Sequence, residues 1–394
     1  MNSQRTARND IQKKLLYSSA DSDDKTRIGY SDIFETTFIL PPSISNFCGR
    51  MAYINVIHNF LHFSGENPHL FLYGMSGIGK TELAKKYASS YKNYYDVILF
   101  LNYRGSLRQL VCNDIHLNSC KRMYADGAPE SDGEYFKRKL EMLWGIASER
   151  ILFIIDNFNA AEEPDLKEFL KGNYTVLFTT RLDMSENGYR ILPVTAFENF
   201  GSTDYTGIYY NDDNVIIHSE YLSEPGMTLK CFIRNCRRNL TEEELPAAQQ
   251  LLARYEGHLF ILELIAKQMQ ASRMTAMEML DFLKNEGLYS TRKLNRVRHH
   301  SSAMPESVYE FVKHIVDPQH LNQEEQYILK NLALLPVSGT IDRELKSRCR
   351  LKNYETIEQL IFKSVIQCDR NTGLLFLHPL IRELILINLV TKGL

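Results

Sequence analysis

The sequence lacks the features of secreted and membrane-spanning proteins. Its seven cysteines show no tight pairing pattern, which argues against a disulfide framework and favours a reducing compartment. The longest largely apolar stretch, Leu384–Val390, is far too short to span a bilayer, and the first residues contain no apolar signal-peptide core. A net charge of −2 gives no general attraction to nucleic acid or to anionic lipid. We therefore expect a cytoplasmic protein without a membrane partner.

The length of the chain and the changes in its sequence pattern predict several domains. A chain of 394 residues is too long for one compact core, and its hydrophobic content of 44% is that of an ordinary globular protein. We predict a polar tail or linker over 1–45 and an α/β domain over 46–238. A small helical domain over 239–306 and a last domain over 307–394 would follow.

One stretch, Gly74–Thr81, fits the pattern G-x-x-x-x-G-K-[ST] between an apolar strand and a helix. Its glycines allow consecutive N–H groups to point at phosphate oxygens, and the following helix adds its positive end. Lys80 can reach the β- and γ-phosphates, and the Thr81 hydroxyl can ligate Mg²⁺. The pattern predicts a P-loop for a purine nucleoside triphosphate or diphosphate. The predicted contacts are Gly74, Met75, Ser76, Gly77, Ile78, Gly79, Lys80, Thr81 and Glu82.

Two later strands end in polar residues that we expect to lie beside the P-loop. Ile151–Asp156 is an apolar run that ends in an acid, as in a Walker B strand, whose carboxylate holds Mg²⁺. The strand Tyr174–Phe178 continues into Thr179-Thr180-Arg181. Because parallel strands end at one crevice, Arg181 could touch the γ-phosphate, although a surface arginine without a ligand is the alternative. We expect Lys80, Asp156 and Arg181 to be catalytic, with Thr81 and Asp156 as metal ligands.

Strands alternate with helices in the first half, and helices dominate the second. The alternation, which includes a last strand at Val215–His218, predicts the parallel sheet of an α/β fold. Thr241–Glu244 then has the pattern of a capping box that opens a helix. Near the end, helices precede a hairpin that pairs Val365–Cys368 with Leu374–Leu377. These parts predict a P-loop NTPase sheet, a small helical domain and a C-terminal winged-helix domain.

The order of these parts resembles the NB-ARC/STAND family, whose members build a nucleotide switch from a P-loop domain, a helical domain and a winged helix. Phe47–Arg50 resembles the family's hydrophobic-Gly-Arg motif, which implies that Gly49 and Arg50 meet the adenine through their backbone. Thr179–Arg181 resembles its Thr-Thr-Arg, in which the arginine senses the γ-phosphate. The resemblance covers roughly residues 45 to 392.

Two further motifs of the family are matched with departures. Gly257–Leu262 resembles Gly-Leu-Pro-Leu, with Leu259 in the place of the proline that contacts the nucleotide. Leu377-His378 resembles the start of Met-His-Asp, in which the histidine meets the β-phosphate of ADP, but Pro379 replaces the aspartate. The family's usual effector and repeat-rich sensor domains are not evident. Either partner proteins carry them, or the chain is a fragment or a pared-down homologue.

The resemblance implies a switch that binds ATP or ADP with Mg²⁺. ATP would favour an open arrangement, and ADP would clamp the winged helix onto the P-loop domain through His378. Hydrolysis should be slow, because Asn157 stands where many fast P-loop ATPases carry a second acid. Opening would expose surfaces for self-association or for protein partners.

Two other functions stay open from the sequence. A DNA-binding regulator would use the winged helix, and the basic segment Arg292–His300 could assist it, although a solvated linker is the favoured interpretation. The expected recognition helix carries Glu355 and Glu358 against Lys363, which argues against duplex binding. An ATPase that turns over continuously is the other alternative.

Overall fold

The computed structural model describes residues 30–43, 47–63, 68–125, 128–197, 226–296, 309–310, 321–336, 339–362, 365–368 and 373–391. We call the described residues up to 197 the sheet unit and those from 226 onwards the C-terminal unit. The helices and strands of the sheet unit are α1 (Tyr30–Ile33), β1 (Phe38–Ile39), α2 (Met51–Phe63), β2 (His69–Tyr73), α3 (Lys80–Ser90), β3 (Val97–Asn102), α4 (Leu107–Asp114), β4 (Tyr124–Ala125), β5 (Ala128–Pro129), α5 (Asp132–Ile146), β6 (Ile151–Asp156), α6 (Leu166–Phe169), β7 (Thr175–Thr180) and β8 (Ile191–Pro193).

Six strands form one parallel sheet in the order β1-β3-β6-β7-β2-β8. The sequence prediction of a parallel α/β sheet is therefore confirmed. The register places Asp156 opposite Asn102 and Thr180 opposite Tyr73, so the carboxyl ends of the central strands lie at one edge. The further strand predicted at 215–218 lies outside the described residues.

Both faces of this sheet are buried, which explains the continuous apolar runs of its strands. Along β6, Ile151, Phe153 and Ile155 join a core with α4 and α5. Leu152 and Ile154 point to the opposite face and join a core with α2 and α3. Because helices cover both faces, a ligand would bind at an end of the strands, and in such folds ligands bind at the carboxyl edge.

A buried lysine connects two of the covering helices. Lys139 on α5 is 1% exposed, and its ammonium donates hydrogen bonds to the carbonyls of Val111 (3.0 Å), Cys112 (2.8 Å) and Ile115. These carbonyls lie at the carboxyl end of α4, where helical C=O groups lack partners and a cation is favoured. Lys139, which lies on the neighbouring helix α5, therefore caps the carboxyl end of α4.

The C-terminal unit contains α7 (Met227–Cys236), α8 (Leu245–Arg254), α9 (Leu259–Ser272), α10 (Ala276–Glu286), α11 (Gln323–Leu334), β9 (Thr340–Ile341), α12 (Asp342–Cys349), α13 (Glu355–Phe362), β10 (Gln367–Cys368), β11 (Leu374–Phe376) and α14 (Pro379–Thr391). One apolar core runs through these elements, from Phe232 on α7 to Leu384 on α14. The helix α7 belongs to this core although it precedes the predicted domain boundary at residue 238. β9, β10 and β11 form a small antiparallel sheet in the order β10-β11-β9.

The predicted capping box at Thr241 does not open a helix. Glu244 accepts a hydrogen bond from the Thr241 backbone (3.0 Å), but α8 begins only at Leu245. The Glu244 carboxylate also pairs with Arg238 (2.6 Å) and accepts from the backbone N–H of Ala276 (3.0 Å) at the start of α10. This buried carboxylate therefore joins three segments instead of capping one.

No helix in the described part of the chain is both long and apolar enough to cross a membrane.

Candidate nucleotide-binding site

The loop between β2 and α3 lies at the carboxyl edge of the sheet. Three of its glycines have positive φ, and a Cβ on Gly74 would lie 2.6 Å from the carbonyl oxygen of Val194 beside β8. Only glycine fits there, since backbone atoms cannot give way. The helix α3 begins at Lys80 after Gly79, without a side-chain cap, so its first N–H groups have no side-chain capping partner. A glycine-rich loop followed by a helix N-terminus is the arrangement that favours a phosphate.

Lys80 turns back over this loop. Its ammonium donates to the carbonyls of Gly74 and Met75, both at 2.7 Å, and the residue is 8% exposed. Burial, together with the positive charge of Arg181, lowers the pKa of Lys80 to about 7, although the Asp156 carboxylate opposes this shift. An anion at this position would restore the charged form of the lysine, as expected for a phosphate-binding group.

The Walker B carboxylate meets the P-loop hydroxyl directly. Oδ1 of Asp156 accepts a hydrogen bond from the Thr81 hydroxyl (2.7 Å) and another from the Thr179 hydroxyl (2.6 Å). The three residues come from α3, β6 and β7, so the predicted metal ligands Thr81 and Asp156 lie together. The role of Thr179 in holding the carboxylate is not evident from the sequence, because hydroxyl residues are common at strand ends.

Arg181 is positioned through its backbone. Its N–H donates to Oδ1 of Asn159 (2.8 Å), and Nδ2 of Asn159 donates to the side chain of Asn157 (2.5 Å). Asn157 follows Asp156 with a left-handed φ of 60°, and its own N–H is held by the Thr179 hydroxyl (3.0 Å). The ends of β6 and β7 are thus joined by amide side chains. This places Arg181 close enough for its charge to act on Lys80.

The predicted adenine-contacting segment has a backbone of positive φ. Gly49 and Arg50 both have left-handed φ values, 59° and 65°, just before α2. The Arg50 guanidinium lies over the rings of Tyr53 (4.8 Å) and Phe197 (4.5 Å) and donates to the carbonyl of Thr195. Its side chain is therefore occupied within the protein, and only the backbone of this segment stays available for the predicted contact.

The start of α9 packs directly on the P-loop. Nε2 of His258 donates to the carbonyl of Ser76 (2.9 Å), and His258 is fully buried. A Cβ on Gly77 would lie 2.9 Å from both Cε1 of His258 and Cβ of Phe260. Leu259, the predicted contact, has its Cδ1 3.8 Å from the position of a Cβ on Gly79. The histidine next to Leu259 was not predicted to be a site residue, although it lies inside the recognised motif.

His378 lies behind this contact. Its ring is 5.5 Å from the ring of His258, and its Nε2 is 3.6 Å from a carboxylate oxygen of Glu256. Burial, followed by the nearby His258, holds the pKa of His378 well below its usual range. A second contact comes from β10, where Nε2 of Gln367 donates to Sδ of Met75 (3.4 Å). The C-terminal unit therefore reaches the loop through α9 and β10, with His378 adjacent to His258.

The remaining predicted contacts serve the loop and its helix. Ile78 is buried in the core formed with α2 and α3. Glu82 lies in the first turn of α3 and forms an ion pair with Lys85 at 2.8 Å. The structure thus brings the predicted residues of the P-loop, of β6 and of β7 to one edge of the sheet, with Leu259 against that loop.

Comparison with known proteins agrees with this geometry. Residues 50–189 match the family model of the NB-ARC domain. The Walker-type ATPase of Pyrococcus abyssi has a similar structure, with a TM-score of 0.50, 11% identity, and coverage of 89% of this chain and 99% of that one. No curated protein sequence matches the chain.

Two other solved structures are similar at lower scores. The signal transduction ATPase with numerous domains (STAND) protein with a tetratricopeptide repeat sensor from Pyrococcus horikoshii gives a TM-score of 0.35 and 17% identity over 87% of this chain, which spans only 43% of that protein. The ORC2 protein of Aeropyrum pernix gives 0.44 and 13%, over 90% of this chain and 96% of that one. Residues 50–189 are therefore similar to the NB-ARC domain, and the site at the sheet edge within this range has the geometry of a P-loop beside a Walker B carboxylate.

Proposed function

We propose that this protein is an ATP/ADP-dependent switch in which the C-terminal unit closes over the phosphate-binding loop. The observation that carries the proposal is the contact between the start of α9 and the loop, where His258 bonds to Ser76 and leaves no space at Gly77. A ligand shifts such an arrangement only by its differential affinity for the closed and open states. A nucleotide at this loop would lie where the two units meet.

Each predicted contact has a role in this proposal. Residues 74–82 hold the phosphates, with the Lys80 ammonium as the main cation, and the backbone of Gly49 and Arg50 meets the adenine. Arg181 detects the γ-phosphate, since its charge already acts at the Lys80 end of the site. Leu259 and His378 approach the nucleotide from the C-terminal unit and favour ADP in the closed arrangement.

One residue at the end of β6 and one at the start of α3 fit a magnesium ion. Thr81 and Asp156 offer a hydroxyl and a carboxylate within 2.7 Å of each other, and hard oxygen ligands are what Mg²⁺ prefers. When bound there with a nucleotide, the ion would neutralise phosphate charge. Thr179 keeps the Asp156 carboxylate oriented towards Thr81 through its 2.6 Å hydrogen bond.

We infer that hydrolysis is slow. The residue after Asp156 is Asn157, which cannot act as a general base, and its side chain is held by Asn159 at 2.5 Å. The other amide oxygen of this pair, on Asn159, is used by the Arg181 backbone. These amides organise the strand ends instead of activating water. The nucleotide would then mark a state for longer than a rapid ATPase cycle allows.

The rest of the chain serves as the moving part of the proposed switch. We propose the division at residues 45, 238 and 306, with α7 packing onto the helical domain, and a winged helix over 307–394. The helices α11 to α13 and the three-stranded sheet of β9, β10 and β11 support the winged helix. Opening would expose the loop-facing side of α9 for self-association or for a protein partner. The acidic first turn of α13, with Glu355 and Glu358, does not favour duplex DNA.

The experiment compares two lysine variants of the full chain. Purified wild-type protein should carry ADP, and Lys80→Ala should lose it, because the variant lacks the cation that spans the loop. Lys92→Ala removes an exposed lysine beyond the end of α3 and should keep the wild-type nucleotide content. Nucleotide is released by acid and quantified by ion-exchange chromatography. Equal ADP content in both variants would refute the assignment of the site.

A further inference from the structure

Two cysteines connect the sheet unit to the C-terminal unit outside the nucleotide site. Cys48 lies directly before Gly49 in the sheet unit, and Cys231 lies on α7 in the C-terminal unit. The side chains of Cys48 and Cys231 are close enough for each thiol to change the pKa of the other. One turn further along α7, Nη1 of Arg234 is 3.4 Å from Sγ of Cys48 and 3.5 Å from the carbonyl of Phe47. Two sulfur atoms and a guanidinium therefore meet at one junction.

The two thiols differ in reactivity. The hydrogen bond from Cys231 and the charge of Arg234 outweigh burial and lower the pKa of Cys48 to about 6. The hydrogen bond to Cys48, together with burial, raises the pKa of Cys231 far above its usual range. Cys48 is half-buried, whereas Cys231 is buried. A thiolate that solvent can reach beside a protonated partner is the arrangement of a reactive and a resolving cysteine.

Most other cysteines of the described residues lack this arrangement. Cys112, Cys120, Cys236 and Cys349 are buried, and burial raises the pKa of each. Cys368 is half-buried, as Cys48 is, and offers a matched comparison. Accessibility alone would make these two equally reactive, whereas the contact with Arg234 and Cys231 distinguishes Cys48.

We propose that Cys48 and Cys231 form an oxidation site, in which a peroxide converts the pair into a disulfide that ties the residues before Arg50 to α7. In the first step the Cys48 thiolate attacks hydrogen peroxide, the O–O bond breaks, and Cys48 becomes a sulfenic acid while hydroxide leaves. In the second step the sulfur of Cys231 displaces the sulfenic hydroxyl, which leaves as water, and the S–S bond forms. Two thiols and one peroxide give one disulfide and two waters.

The disulfide would hold the closed arrangement. The helix α7 shares one apolar core with α9, whose first residues cover the P-loop. A covalent bond from Cys231 to the segment before Arg50 therefore opposes separation of the two units. This consequence rests on the proposed switch, whereas formation of the disulfide does not. We expect the oxidised protein to release ADP at least tenfold more slowly than the reduced protein.

The first test treats the full-length protein with one equivalent of hydrogen peroxide and maps its peptides without reduction. The expected product is a Cys48–Cys231 disulfide that dithiothreitol reverses. Cys231→Ala should instead leave a sulfenic acid on Cys48 that dimedone traps, and Cys368→Ser should behave as the wild type. A disulfide that uses Cys368, or no reaction at Cys48, would overturn the proposal.

The second test measures the rate at which iodoacetamide alkylates Cys48 as a function of pH. Arg234→Gln should move the midpoint upward by about 1 unit, because it removes the neighbouring positive charge. Cys231→Ser retains a hydroxyl donor and should shift the midpoint less than Cys231→Ala does. Unchanged midpoints would refute the role of the junction. If the disulfide forms but the rate of ADP release does not change, the coupling of the disulfide to the switch is refuted. The nucleotide site itself is tested separately by the loss of ADP in Lys80→Ala.

Discussion

Replacing Gly77 by alanine tests the contact on which the proposed closure rests. The added Cβ would lie 2.9 Å from both Cε1 of His258 and Cβ of Phe260, a separation that requires the start of α9 to move. Overpacking of this kind costs about 1–3 kcal/mol, which corresponds to a roughly 5- to 150-fold shift of the equilibrium between closed and open arrangements. The φ of +77° at this position adds backbone strain, which both arrangements share.

Gly79→Ala is the matched control. Its φ of +103° imposes a comparable backbone strain of about 1–2 kcal/mol, but the nearest atom to its Cβ is Cδ1 of Leu259 at 3.8 Å, an ordinary contact. Gly79→Ala should therefore disturb the loop without displacing α9. A comparison of the two variants separates the steric effect from the strain of the loop.

Hydrogen exchange with mass spectrometry measures this difference. In Gly77→Ala the amides at the start of α9, residues 258–262, should exchange about 5- to 150-fold faster than in Gly79→Ala. The amides of β6, residues 151–155, serve as an internal reference because they lie in the centre of the sheet. Equal protection at 258–262 in the two variants would refute the reasoning.

Two supporting charges yield further testable outcomes, both measurable by urea unfolding of the full chain. Lys139→Met should lower the stability of the sheet unit by about 2–3 kcal/mol, since it leaves the carbonyls at the end of α4 without their donor, whereas exposed Lys137→Met should have little effect. Glu244→Gln should destabilise the C-terminal unit by roughly 2 kcal/mol at pH 7. Arg238, followed by the backbone N–H groups of Thr241 and Ala276, lowers the pKa of Glu244 to about 2. This carboxylate therefore stabilises the fold above its usual pKa, and the stability deficit of the variant should shrink as the pH falls from 5 towards 3. Loss of stability in Lys137→Met would contradict the role of Lys139. A stability deficit of Glu244→Gln that does not change with pH would contradict the role of Glu244, for which Glu243→Gln at an exposed position is the control.

The parts of the fold that local pattern determines were predictable from the sequence. The strand Ile151–Asp156 has the predicted bounds, because a strand buried on both faces of a parallel sheet is a continuous apolar run. The P-loop and its helix α3 also follow from local requirements for glycine and for a helix N-terminus. The winged helix, the domain boundaries and the roles of individual site residues stay predictions.

Contacts between distant segments could not be predicted in the same way. The hydrogen bond from His258 to Ser76 joins residues 182 positions apart, and nothing in either local sequence specifies it. The capping-box prediction at Thr241 failed for a related reason. The pattern Thr-x-x-Glu fits locally, but Glu244 has partners in Arg238 and in Ala276, which is 32 positions away. Tertiary partners decide the role of such a carboxylate.

Because the C-terminal unit has a single core, its contacts with the P-loop are expected to be cooperative. His258, Phe260 and Gln367 reach the loop from α9 and β10, and these elements share one close-packed interior. Close-packed interiors are bistable rather than continuously deformable, so the contacts must be lost together or kept together. The free energies of these contacts therefore add, and all of them must be overcome before the unit can move. The C-terminal unit would stay closed under a weak stimulus and would open abruptly under one that exceeds a threshold.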